Sequence, residues 1–149
     1  MSASNTFESD VLLLLLNNTN IANLGDATGV RGSSTAGSVY IALHTADPGE
    51  TGNQTTSEAT YTSYARVAVA RSSGGWTISG TAPTQAANAA AVNFPACTGG
   101  SNTITHFSIG RDTSGTGEIL LSGALTVSLA VSTGITPSFA IGALVATCD

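Results

Sequence analysis

The first apolar stretch of the chain has the spacing of a helix. Its hydrophobic residues, between positions 7 and 16, recur at close to helical intervals. Asn5, with Glu8 three positions later, has the form of a capping box. The pattern predicts an amphipathic helix over 6–17. Leu13 and Leu14 widen its apolar band, so we expect either the chain's own sheets or a neighbouring subunit to cover it.

The segment after this helix changes character. Between residues 25 and 37 it carries four glycines and a Ser-Ser pair, which is the composition of a linker or arm. We therefore divide the chain into an N-terminal helix with a Gly/Ser-rich arm, residues 1–37, and a β-sandwich domain, residues 38–149.

From residue 38 the hydrophobic period shortens to two. Val67 and Val69, for example, alternate with Arg66 and Ala68, and this alternation is typical of strands. The absence of helical pattern between the runs favours an antiparallel sandwich or barrel, and the number of strands fits a jelly-roll-like β-sandwich. About eight strands are predicted, at 38–45, 65–72, 75–80, 89–96, 102–110, 117–123, 125–131 and 138–148.

One connection, over 46–63, is long for a compact domain, in which most loops have about 4–6 residues. It opens with the turn sequence Asp47-Pro48-Gly49 and carries Tyr61 near its far end. We expect this loop to be either mobile or held by a partner.

The charge composition excludes several classes of function. Charged residues make up 9% of the 149, the basic ones are all arginines, and the net charge is -5. Because binding to phosphate backbones or anionic membranes needs clustered positive charge, neither nucleic acid nor a membrane surface is an expected partner. The apolar run over 11–16 is too short to span a bilayer and follows acidic residues, unlike a secretory signal, so we expect a soluble chain.

Motifs for catalysis or metal binding are weak. His44 and Asp47, with Thr45 or Ser63 nearby, could form parts of a hydrolytic triad, but the chain has no nucleophile-elbow motif. We expect His44 to bond local backbone at a strand end. His106 is expected to be packed or interfacial, with a pH-dependent switch as the alternative.

Acidic residues give no stronger signal. Glu58 or Glu118 could pair with Glu50 as the two carboxylates of a glycoside hydrolase, but one tryptophan offers little platform for a sugar. The aspartates are scattered singly without the spacing of a metal motif, so no metal and no cofactor is expected.

The remaining reactive or charged side chains have structural interpretations. Arg66 and Arg71 flank one predicted strand, and each could make a bidentate bond to a carboxylate, within the subunit or across an interface. Simple solubility at the strand ends is the alternative. For Cys97 and Cys148 two buried free thiols are favoured, and a disulfide stays open.

Three blocks, 43–77 beginning LHTADPGETG, 88–125 containing THFSIGRDTSGTGEILLSG, and 128–147, carry a family resemblance. With the leading helix they cover nearly the whole chain. The sequence resembles small virion structural proteins of tailed bacteriophages, which are often labelled tail fibre proteins. Its size and layout are also similar to the cement, or decoration, proteins of some short-tailed phages, which are jelly-roll sandwiches that clamp the outside of the icosahedral head.

The resemblance implies a non-enzymatic capsid cement protein on the outer surface of the head, made in the host bacterial cytoplasm. Its partners would be the major capsid protein and itself, as a homodimer or homotrimer. The 6–17 helix, the 46–63 loop and the strand edges are the expected contact elements. The single residues proposed as partner contacts are Leu13, Leu14, Tyr61 and Arg66. The alternatives are a tail fibre, spike or adhesin module for host attachment and, last, a small β-sandwich hydrolase.

Overall fold

A computed structural model describes residues 5–21, 36–80 and 84–148, with side chains over 9–21, 36–80 and 84–147. The described residues form one helix and nine strands. Their bounds are α1 Asn5–Asn17, β1 Ser38–His44, β2 Val67–Ala70, β3 Trp76–Ser79, β4 Thr84–Asn88, β5 Val92–Asn93, β6 Ser101–Gly110, β7 Ile119–Ser132, β8 Ser138–Phe139 and β9 Val145–Cys148. The fold class is confirmed: the chain is mainly β, its strands pair antiparallel, and one short helix precedes them, which is consistent with a β-sandwich.

The chain divides into two compact units. The helix unit comprises Met1–Ser38, Ala70–Ala91 and Phe139–Asp149, and the sheet unit comprises Val39–Val69 and Val92–Ser138. The proposed division into residues 1–37 and 38–149 stays a prediction, because its arm over 25–37 lies largely outside the described residues.

In the helix unit, α1 packs on a three-stranded sheet of order β3-β4-β9. Leu12 and Leu16 are buried together with Trp76 and Leu144. Burial of such apolar side chains is the main force that holds the helix on the sheet. The predicted cover for the helix is therefore supplied, at least on this face, by the chain's own sheet.

The end of α1 is fixed by the backbone of Asn18 and by the side chain of Arg71. Asn18 adopts a left-handed backbone (φ 53°), as asparagine often does after a helix. Arg71 donates from Nε to the Leu15 carbonyl at 2.6 Å and from Nη2 to the Leu14 carbonyl at 2.7 Å. Both are last-turn carbonyls without a partner inside the helix. The expected carboxylate partner within the subunit is wrong for Arg71: its two bonds go to a helix terminus, where positive charge is stabilised. A carboxylate partner across an interface stays a prediction.

The sheet unit contains the four-stranded sheet, of order β2-β1-β6-β7. Strands β1 and β6 pair in the centre, with Ile41 opposite Ile109 and Leu43 opposite Phe107. Ile41, Leu43 and Ile109 are almost inaccessible to solvent. A separate two-stranded sheet joins β5 and β8.

Several predicted strand boundaries differ from the structure. Strand β4 was not predicted, the 89–96 segment shortens to β5, and the 138–148 segment forms two short strands, β8 and β9. The separate strands predicted at 117–123 and 125–131 run on as β7. A break nevertheless remains between them, because the pairing with β6 jumps from Ala124 to Leu129.

Candidate functional site

The most elaborate group of polar side chains lies in the sheet unit, where the 46–63 loop folds back on β1. The Thr45 amide donates to the Ser57 carbonyl and the Ala59 amide to the Leu43 carbonyl, both at 2.8 Å. Glu58 forms a β-bridge with His44. The loop is therefore held by its own sheet rather than left free. A contact of this loop with a partner stays a prediction.

His44 fastens the middle of this loop to the sheet. Its Nδ1 lies 2.8 Å from the Thr56 carbonyl and its Nε2 lies 2.8 Å from the Ser108 hydroxyl. A carbonyl only accepts, so Nδ1 carries the proton and the neutral ring accepts from Ser108 at Nε2. Burial, the largest effect, lowers the pKa of His44, against opposing contributions from Thr56 and Glu58. His44 does lie at the end of β1 and bond a backbone carbonyl, but that carbonyl belongs to Thr56 in the folded-back loop rather than to the local backbone.

Gln54 is a second fastening point that the sequence analysis missed. It is fully buried, and its Oε1 accepts from the Asp112 amide at 3.0 Å. The backbone amide of Gln54 donates to the Gly117 carbonyl at 2.9 Å. A side chain on Gly110 or Gly117 would collide with Gln54, so these glycines provide the space it occupies. Glycine at both positions is a sequence signal of close approach, but one that does not name its partner.

The far end of the loop is fixed by Asn102 and an aromatic cluster. The Asn102 Oδ1 accepts from the amides of Thr60 and Tyr61, each at 2.8 Å. The rings of Tyr61 and Tyr64 meet edge to face at 5.3 Å, and Tyr64 stacks on Phe94 at 6.3 Å. Such aromatic pairs contribute beyond the area that they bury.

An ion pair lies at the centre of the arrangement. Arg66 donates to both oxygens of Glu58, from Nε at 2.7 Å and from Nη2 at 2.8 Å. It also donates to the carbonyls of Asp112 at 2.9 Å and Gly115 at 2.7 Å. The hydrogen bonds to Glu58 are the main cause that raises the pKa of Arg66. The alternative of a bidentate pair within the subunit is thus confirmed for Arg66.

Tyr64 adds a third hydrogen bond to the Glu58 carboxylate. Its hydroxyl donates to the Glu58 Oε1 at 3.0 Å and accepts from the Leu43 amide at 3.0 Å. Burial raises the pKa of Tyr64 far above its ordinary value, and the Glu58 charge adds to this rise. The hydroxyl therefore stays protonated and links Glu58 to β1 at all ordinary pH values.

An open pocket of about 240 Å³ lies over this ion pair. Its lining residues are Glu58, Tyr64, Ala65, Arg66, Thr113, Ser114 and Gly115. The Glu58 carboxylate already accepts three hydrogen bonds from Arg66 and Tyr64. The pocket floor is therefore a satisfied structural ion pair, with limited capacity left for a ligand.

Ser108 and His44 form a pair that resembles part of a hydrolytic dyad. Both side chains are 0% exposed. A nucleophile and base must contact the substrate to act. In this arrangement the pair can join the loop to the sheet, but a substrate cannot reach it. Among the described residues, no group of three histidine, cysteine or acidic side chains could hold a metal ion.

The residues proposed as partner contacts lie in different places. Leu13 and Leu14 are half-buried on α1. Tyr61 is buried, with its hydroxyl donating to the Pro95 carbonyl at 3.1 Å, and Arg66 is buried in the ion pair. The structure brings Tyr61 and Arg66 into the sheet unit, whereas the leucines belong to the helix unit. Their role as contacts stays a prediction.

The cysteines and His106 complete the set of predicted residues. Cys97 is a buried free thiol, as favoured, and lies 3.3 Å from the Gly99 carbonyl. The side chain of Cys148 lies outside the described residues, as do those of the predicted capping box. His106 is half-buried, with Nδ1 2.9 Å from the Thr105 hydroxyl.

One family model matches the sequence, over residues 2–147, and its description is Podophage GP4 fiber I protein gp80. The chain belongs to this family. It is accordingly a structural protein of a phage virion, which confirms the resemblance at that level. A search of the curated proteins finds no match to the chain. In the part of the chain that the structure describes, no helix has the length and hydropathy needed to cross a bilayer.

Proposed function

We propose that this chain is a non-enzymatic subunit of the outer surface of a phage particle, and that it acts in a fiber. The family description, which names a fiber protein, supports this proposal. The complete burial of Ser108 and His44 supports a role without catalysis. The subunit acts by binding other virion proteins, and the free energy comes from apolar and backbone contacts rather than from its few charges.

Capsid cement is the second candidate. The chain shows neither the long repeats nor the heptads that are typical of extended fiber shafts. A cement protein would bind the outside of the head as a dimer or trimer and bridge neighbouring major capsid subunits. By mass action, a protein that binds the assembled shell but not dispersed subunits stabilises the shell. A net charge of -5 is also compatible with a place away from the packaged DNA.

Stoichiometry separates the two placements. Virions would be split into heads and tails, and copies of this chain counted by mass spectrometry against the major capsid protein. A small number of copies in the tail fraction supports the fiber. A number close to that of the major capsid protein, in the head fraction, contradicts the fiber and establishes cement. Absence from both fractions contradicts a virion role.

The helix contact has its own test. Leu13 and Leu14 would be changed together to serine, and binding of the variant to particles that lack this chain would be measured. We expect reduced occupancy if α1 contacts a neighbour. Ile141→Ser, which changes a side chain that is 70% exposed in the same unit, is the matched control. Normal folding with unchanged occupancy contradicts a contact through the helix.

A further inference from the structure

The two edges of the four-stranded sheet differ in a way that concerns association. Strand β2 has four residues, and Arg66 and Arg71 flank it in the sequence. Short length and flanking charge are common protections of a sheet edge. Among the described residues, strand β7 forms the other edge; it has 14 residues and contains no charged residue and no proline. An edge of this kind offers its backbone donors and acceptors to another strand.

A register shift interrupts the regular pairing of β7 with β6 near the centre of β7. Ile104 pairs with Leu129 and His106 with Ala124, so Thr105 alone faces the segment Leu125–Ser128. Within this segment Val127 is 78% exposed, the highest value among the large hydrophobic side chains that the structure describes. An apolar side chain held out from an uncharged strand gains free energy when a partner covers it.

We propose that β7 pairs antiparallel with β7 of a second copy of this chain, across a two-fold axis through Leu125–Ser128. Val127 of one copy then lies beside Val127 of the other. This contact would join two copies of the proposed virion subunit, and its biological role rests on that proposed function. The interface is isologous, because each copy contributes the same strand.

Charge favours a second copy as the occupant. An uncharged strand offers no complement to a charged partner, whereas an identical strand opposes uncharged residues with uncharged residues. Orientation follows from Glu118, which directly precedes β7. Parallel pairing would set the two Glu118 side chains side by side. Antiparallel pairing about Val127 separates them by roughly 60 Å at about 3.3 Å per residue, far beyond a Debye length of about 8 Å.

The oligomeric state of the purified full chain tests the proposal. Sedimentation and light scattering at protein concentrations up to about 100 µM should show that the wild type associates. Val127→Lys should raise the dissociation constant of the dimer at least about tenfold, because the substitution places two ammonium groups at the two-fold axis. Ile141→Lys is the matched control, since it introduces the same charge at another exposed apolar side chain. A monomeric wild type overturns the proposal, as does an oligomer that Val127→Lys leaves intact.

A cross-link gives an independent readout. Val127→Cys should form a covalent dimer under mild oxidation, whereas Ile141→Cys, with the same native cysteines, should not. Equal cross-linking of the two variants overturns the pairing. Both tests are made on the purified protein in solution, so a negative result contradicts the β7 pairing but not the virion role. The virion role is tested separately by the stoichiometry measurement, and a negative result there does not contradict the pairing.

Discussion

The Glu58–Arg66 pair gives the sharpest test of how the 46–63 loop is held. Glu58→Gln keeps the size of the side chain but replaces one acceptor oxygen with an amide that faces the guanidinium. The Arg66 side chain is 2% exposed, so water cannot readily replace the lost acceptor. Removing one partner of a buried pair costs about 3–5 kcal/mol. Since the Glu58 side chain keeps 16% exposure and one acceptor oxygen remains, we expect a loss of about 2–4 kcal/mol.

Urea unfolding followed by circular dichroism measures this loss. Glu118→Gln is the matched control, because Arg111 and Glu118 lie 3.4 Å apart with side chains that are 67% and 62% exposed. For an exposed pair we expect less than about 0.5 kcal/mol. A loss below about 1 kcal/mol for Glu58→Gln, or equal losses for the two variants, would refute the view that burial makes this pair important.

Three further predictions concern other fixed points. Because burial lowers the pKa of His44 below 6.5, His44 takes up a proton at a higher pH in the unfolded chain than in the folded chain. The stability that neutral His44 contributes is therefore fully present above about pH 6.5 and decreases as the pH falls below it. Unfolding measured from about pH 8 to pH 5 should show this slope, and His44→Gln should flatten it. Gly117→Ala should cost about 1–3 kcal/mol in urea unfolding, because its methyl group meets Gln54 and Asp112, while Gly74→Ala, with ordinary contact only, should stay within about 0.5 kcal/mol. Arg71→Ala should lower the free energy of unfolding by about 1–3 kcal/mol through loss of two bonds at the end of α1, and an unchanged thermal transition would contradict this.

The sequence patterns that were most informative were those with a regular period. The apolar residues of α1 and the alternation in β2, where Val69 is buried between exposed alanines, come from burial on one side, which leaves a mark on the sequence. Strand β4 was missed because its buried positions are Thr84, Ala86 and Asn88. Small and polar residues carry little hydrophobic signal even when they face the interior.

The candidate site was harder to predict than the strands, for a different reason. Gln54 and Asp112 are 58 residues apart in sequence, and Asn102 is 42 residues from Thr60. A hydrogen bond between such positions has no local periodicity, so one sequence does not indicate it. The scarcity of charge did point to Arg66 as a specific contact, but it did not select Glu58 as the partner.

Side-chain bonds to the backbone supplement the few ion pairs in this charge-poor chain. Arg66, Arg71 and Asn88 each bind at least two backbone carbonyls, and together they fix a loop, a helix end and a turn. Loops fixed in this way lose little conformational entropy when a partner binds them. That property suits the proposed virion subunit, which acts by binding other virion proteins. The 46–63 loop is long but ordered for the same reason, because each hydrogen bond that the loop makes to its own sheet unit offsets part of the conformational entropy lost when the loop is ordered.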